Sequence, residues 1–297
     1  MADVTTPRAA EAGVLSRAPS GGLVIAAIAS VQFGGALAVH LFASVGPGGA
    51  VLLRLASASI VLLAVSRPRV DRPALRHLPL AASFGLVLAG MNLSFYASID
   101  RIPLGIAVSL EFVGPLAVAV AGSRRPIDLV WVALAVAGIL TLTHVGGSRP
   151  VDGLGIALAL LAGCCWGAYI LLSARVGRVF ERGTGLSLAM CFASVVTVPV
   201  GVAAAGTRLI EPRSLALGCA VGMLSSAIPY SFELEALRRI AVPVFGVLMS
   251  LEPAMAALAG LLVLGQGLSA RTLVGIALVV SASVGASRRT REAPTAV

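Results

Sequence analysis

Long apolar runs follow one another along almost the whole chain, separated by short clusters of Arg, Pro, Gly and Asp. A helix rising about 1.5 Å per residue needs about 20 mostly apolar residues to cross a hydrocarbon core. Ten segments come close to that length: 22–45, 49–66, 78–98, 103–122 and 129–145, then 154–173, 185–205, 215–234, 244–265 and 272–286. The connections are too short for a soluble domain. Polar tails at 1–21 and 287–297 flank two blocks of five spans, 22–145 and 154–286. The pattern predicts an all-α integral membrane protein of ten transmembrane helices. Its first run is longer than the roughly 7–15-residue apolar core of a secretory signal, so it is expected to stay as a helix.

Composition agrees and excludes alternatives. The chain is 58% hydrophobic and 12% charged, with mean hydropathy +0.99. An ordinary soluble domain carries about 25% charged residues. A soluble enzyme, a disordered regulator and a disulfide scaffold are thereby ruled out. All 22 basic residues are Arg. Without Lys there is neither a phosphate-binding P-loop nor a Schiff-base amine, so the chain alone is not an ATP-driven pump. The Arg lie in short loops, which points to a bilayer and away from nucleic acid. With the N-terminus in the cytoplasm, 16 Arg fall in inner segments and five in outer loops, and Arg54 lies within a span. Cytoplasmic loops are the basic ones, so both termini are expected inside.

Metal, cofactor and enzyme chemistry find no footing. Cys164, Cys165, Cys191 and Cys219 sit in apolar runs and read as small hydrophobes. The three histidines are scattered without metal-ligand spacing, and His40 and His144 read as surface or packing residues. No cofactor is expected.

The chain repeats itself. Gly105-Ile-Ala-Val-Ser109-Leu-Glu111 in the fourth span matches Gly246-Val-Leu-Met-Ser250-Leu-Glu252 in the ninth, 141 residues on. Phe33-Gly34 and Trp166-Gly167 match loosely in spans one and six. Five spans per half is an odd number, so the second half enters the membrane upside down. Inverted five-helix repeats are characteristic of secondary transporters, whose site lies near the midplane. Glu111 and Glu252 are each the ninth residue of their span, roughly 13 Å deep. Carboxyls there cost roughly 2.5–3.5 kcal/mol each, so they should face a cavity or a partner.

The stretches PLGIAVSLEFVGPLAVAV at 103–120, SRRPIDLVW at 123–131 and FGVLMSLEPAMAA at 245–257 resemble the drug/metabolite transporter superfamily. The branch they resemble is the ten-helix EamA type, in its bacterial threonine/homoserine exporter group. The similarity runs from about residue 26 to 286. It implies a basket of two inverted halves in the bacterial cytoplasmic membrane, moving a small amino-acid-like solute outward. A proton or counter-solute gradient would drive it. A broader drug or metabolite exporter of the same superfamily is the alternative.

Candidate substrate- or proton-binding residues follow. Glu111 and Glu252 come first, with Ser109 and Ser250 two positions before them; interhelical hydrogen bonding is the competing role. Pro115 cannot donate to the Glu111 carbonyl, and Pro253 cannot donate to that of Met249. Ser226, Tyr230 and Glu233 share a face of span eight, where Pro229 frees the Ser225 carbonyl. Glu235 and Arg239 read as a local ion pair. Asn92 and Tyr96, four residues apart, can meet an amino acid or satisfy the bundle. Arg54, roughly 8 Å deep, can clamp a carboxylate or snorkel outward. Gly163-xxx-Gly167 and Gly218-xxx-Gly222 permit close helix approach, with a homodimer possible.

Overall fold

The computed structural model describes residues 19–68, 75–121, 128–143, 152–180, 184–237, 245 and 248–289. Among these residues the regular structure is helical throughout.

The first element, α1 (Ser20–Ser66), is 47 residues long. At about 1.5 Å per residue it would measure roughly 70 Å, twice a bilayer core. It is not straight: Gly46 breaks it with φ 67° and ψ 170°, directly before Pro47. Only glycine adopts that backbone at little cost, so the first two apolar runs become two arms joined by a one-residue turn. The element α2 (Leu78–Ile99) corresponds to the third run. The fourth run is divided at Phe112 into α3 (Leu104–Glu111) and α4 (Val113–Ala121). Then come α5 (Asp128–Thr143), α6 (Gly153–Val179) and α7 (Thr184–Ala205). The eighth run is α8 (Pro212–Gly222), a π-helical turn (Met223–Ala227) and α9 (Ile228–Leu237). The last two are α10 (Glu252–Leu264) and α11 (Ala270–Arg289).

One expectation needs correcting here. The repeat-related glutamates do not sit inside continuous spans. Glu111 ends α3 and Glu252 begins α10. Proline is the cause in both cases. Pro253 is tolerated in a first helical turn, where its missing N–H has no partner to lose. Pro115 follows the break at Phe112 and removes the N–H that would have bonded the Glu111 carbonyl.

Hydrophobicity gives helices no reason to prefer one another over lipid, so small residues and buried hydroxyls set the contacts. The second arm of α1 runs antiparallel to α7, with Ser59 Oγ 2.7 Å from Ser194 Oγ and Ser66 Oγ 2.7 Å from Ser187 Oγ. Antiparallel to α6 lies α2, joined where Ser98 donates to the Gly155 carbonyl (2.8 Å) and where Phe84 stacks on Tyr169. Beside them Asp152 caps α6 by accepting from Leu154 N–H (2.8 Å) and pairs with Arg101 (3.1 Å). These contacts, the Arg101 hydrogen bond foremost, hold the Asp152 carboxyl below the usual carboxylate range. Gly265, at φ 63°, ends α10 and turns the chain so that Gln266 Oε1 accepts from the Leu104 N–H (3.0 Å). That side chain satisfies a backbone donor at the start of α3, which has no partner inside its own helix.

The tightest crossing is that of the α3–α4 segment over α6. A Cβ on Gly163 would lie 2.6 Å from the Glu111 carbonyl oxygen, and one on Gly114 would overlap the Gly163 carbonyl. Backbone touches backbone there, so no side chain can yield. Gly163→Ala and Gly114→Ala are each expected to destabilise the purified protein by about 1–3 kcal/mol or to prevent its accumulation. Gly177→Ala meets nothing within 4 Å and is expected to leave the thermal midpoint in detergent unchanged or slightly raised.

Candidate functional site

The helix breaks converge on one cavity of about 500 Å³. Its polar wall is built from helices of both halves of the chain. Gln32 and Arg54 come from the two arms of α1, and Asn92 comes from α2. Glu111 stands at the α3–α4 break, Ser225 in the π turn, Glu233 on α9 and Glu252 at the start of α10. Aromatic rings share the apolar wall with aliphatic side chains: Phe95, Phe112, Trp166, Tyr169 and Phe245. Phe112 and Trp166 meet edge to face, with centroids 5.3 Å apart.

Arg54 is the anchor of the site, and its position corrects the snorkelling alternative. Its guanidinium is turned inward, with Nη1 donating to the Tyr96 hydroxyl (3.3 Å) and Nη2 to the Ser225 carbonyl (3.3 Å). The guanidinium carbon also lies 5.5 Å from the centre of the Tyr96 ring, a cation–π contact. The Ser225 carbonyl is available because residue 229 is proline, which has no N–H to offer it. A π turn lets the chain absorb this loss without ending the helix. Glu111 lies within electrostatic reach of Arg54, and Glu252 within reach of both Glu111 and Glu233. One cation and three carboxyl groups therefore share one enclosure, with Glu111 and Glu252 only 8% and 6% exposed. Ionisable groups at such depth are expensive in lipid, and a polar cavity is where they can be accommodated.

Of the residues singled out in the sequence, Glu111, Glu252, Asn92, Glu233 and Arg54 line the cavity, and Tyr96 supports Arg54 from behind. Three others lie off the wall. Ser109 is wholly buried and donates back to the Gly105 carbonyl (2.7 Å). Ser250 is buried against Ser283, hydroxyl to hydroxyl at 2.8 Å, and it is Ser283 that faces the cavity. Ser226 is buried too, and its neighbour Ser225 takes the lining position, because the extra residue in a π turn rotates the register. The Tyr230 and Glu235 side chains, Arg239 and His144 lie outside the described residues. Gln32 and Phe112 escaped the sequence reading, which marked the Ser225 carbonyl but not its side chain. Gln32 did leave a signal, as an amide in an otherwise apolar first span.

Comparison with known proteins gives a consistent picture. The model of the EamA-like transporter family matches residues 153–288. The threonine/homoserine exporter RhtA of Salmonella typhimurium (strain LT2) is 43% identical over 274 residues, covering 92% of each chain. The threonine/homoserine exporter RhtA of Escherichia coli (strain K12) is 43% identical over 272 residues, or 91% of this chain and 92% of the relative. One crystal structure superposes with a TM-score of 0.57 over 92% of this chain and 99% of its own, at 18% identity, which establishes likeness of fold.

The lining can be mapped chemically. In a variant freed of Cys164, Cys165, Cys191 and Cys219, a cysteine placed at Phe112 or Met249 is expected to react with N-ethylmaleimide in membranes. A cysteine at Ser109 or Ser226 is expected to stay protected, since thiol reactivity needs access. Mass spectrometry of the labelled protein checks this.

Proposed function

Because the chain belongs to the EamA-like transporter family, in its threonine/homoserine exporter group, we propose that it exports small hydroxylated amino acids such as threonine and homoserine by gradient-coupled alternating access. It is a multi-pass bacterial membrane transporter and not an enzyme. The observation that carries the substrate reading is the pairing of Arg54 with Glu111 in one cavity. Arg54 takes the substrate carboxylate, for which a guanidinium has the matching fork. Glu111 takes the ammonium, and Glu252 with Glu233 supplies a place for the proton that couples transport.

The architecture proposed is ten spans in two inverted halves, 22–145 and 154–286, with both termini cytoplasmic. Matched packing supports it. The first span of each half lies on the third span of the other, Gly34 against Ser225 and Gly90 against Cys165. The two second spans lie side by side at Ser59 and Ser194, and the two fifth spans at Gly138 and Gly275. The family match begins at residue 153, where the second half begins. In this orientation Glu111 to Leu116, Trp166 to Ser173 and Ser225 to Glu233 line the cavity from mid-span toward the cytoplasmic ends. We therefore read the state as inward-facing, closed outside by the contacts at Ser98, Arg101 and Gln266.

Efflux of labelled threonine from preloaded cells, or uptake into inside-out vesicles, tests the function. Arg54→Gln, Glu111→Gln and Glu252→Gln are each expected to lower transport at least about tenfold, the equivalent of about 1.4 kcal/mol, at unchanged membrane levels. Threonine transport that survives all three returns these residues to structural duty. Transport of lipophilic cations without threonine moves the assignment to a broader drug exporter.

A further inference from the structure

We infer that Gln32 reads the side-chain hydroxyl of the transported solute and so separates hydroxylated amino acids from their unhydroxylated isosteres. This rests on the proposed function, in which Arg54 and Glu111 hold the two charged ends of the substrate.

Gln32 lies on the first arm of α1, is 4% exposed and lines the cavity. Three of the neighbouring polar groups are engaged, while the Ser225 hydroxyl, which also lines the cavity, is buried without a partner among the described residues. Arg54 donates to Tyr96 and Ser225, and Asn92 Nδ2 donates to the Leu88 carbonyl (2.9 Å). Ser94 bonds back to the carbonyl of Gly90 (2.7 Å). The Gln32 amide, in contrast, makes no hydrogen bond to any described residue. Its amide atoms are not among the buried polar atoms left without a partner, so they open onto the cavity, and a partner for them enters from there.

The type of partner follows from the donor–acceptor inventory. An amide offers two N–H donors and a carbonyl acceptor. A carboxylate can use only the donors and an ammonium only the acceptor, whereas a hydroxyl uses both. Asn92 is less open, since one of its two N–H donors is taken by the Leu88 carbonyl. Place in the fold agrees. Gln32 and Gly35, one turn apart, both face the cavity, and Gly34 between them packs on Ser225, which receives Arg54. Arg54 and Gln32 thus line one cavity, so an amino acid held by Arg54 can present its side chain to Gln32. Threonine and homoserine carry their hydroxyl two and three bonds from the α-carbon, a difference that a flexible glutamine can span. The aromatic wall accepts the carbon chain of either solute and cannot tell hydroxyl from methyl.

The experiment is competition against labelled threonine uptake into inside-out vesicles. The competitors are unlabelled threonine, homoserine, valine (methyl in place of hydroxyl) and 2-aminobutyrate (no hydroxyl). For the wild type, threonine is expected to compete at least about tenfold better than valine, the scale of one well-made hydrogen bond. In Gln32→Leu that ratio is expected to fall close to one through weaker threonine binding, with valine little changed. Gln32→Asn withdraws the amide by one methylene and is expected to shift the preference toward homoserine, whose hydroxyl reaches further. An unchanged threonine-to-valine ratio in Gln32→Leu overturns the inference. If that variant fails to insert, an unchanged threonine-to-homoserine ratio in Gln32→Asn overturns it instead. Absence of threonine transport in the wild type itself strikes the proposed function and is distinguished from failure of the Gln32 inference by that control.

Discussion

Direct backbone contact between the α3–α4 break and α6 fixes the geometry on which the cavity depends. Gly163 meets the Glu111 carbonyl and Gly114 meets Gly163, so the two segments cross with no room for a side chain between them. In lipid, apolar side chains gain little by choosing each other over acyl chains, and close approach of small residues supplies the dispersion energy instead. The crossing places Glu111 at the cavity wall. It also brings Phe112 against Trp166, so the carboxyl stands beside an aromatic surface.

Helix breaks do the second part of the work. A continuous helix spends every carbonyl on itself and has nothing to offer a neighbour or a solute. Proline at 229 withholds one N–H, and the Ser225 carbonyl becomes a ligand for Arg54. Prolines at 115 and 253 act at the two breaks beside the glutamates. Irregular backbone at membrane depth is tolerated where protein or a water-filled cavity covers it, and each of these breaks lies at the cavity.

Charge is then balanced within the enclosure. Arg54 alone would be a costly cation in a thin apolar shell; Tyr96, the Ser225 carbonyl and nearby Glu111 compensate it. The carboxyls outnumber the guanidinium, which leaves capacity for a positively charged group of a substrate or for a proton. Such a mixture suits a zwitterion and would serve a purely apolar solute poorly.

Much of this was written in the order of residues. Apolar run length predicts the helices, because a bilayer imposes one length on anything that crosses it. The matched Ser-Leu-Glu segments, ending at Glu111 and Glu252, mark two carboxyls that have no reason to be in lipid. The Pro229–Ser225 relation follows from covalent chemistry alone. What the order of residues could not decide is which face of each helix looks inward. Ser225 and Ser226 are adjacent and chemically identical, and only the π turn, formed under packing against Gly34 and Arg54, selects the first for the cavity. Arg54 could have reached outward with equal ease until Tyr96 came within hydrogen-bonding distance. Gln32 carries no motif at all, and its place on the cavity wall is set by helices that are distant in sequence. Local composition determines that a segment is a membrane helix, since that depends on transfer from water to lipid. The facing of its side chains depends on contacts between segments far apart in the chain, and those exist only once the bundle has closed.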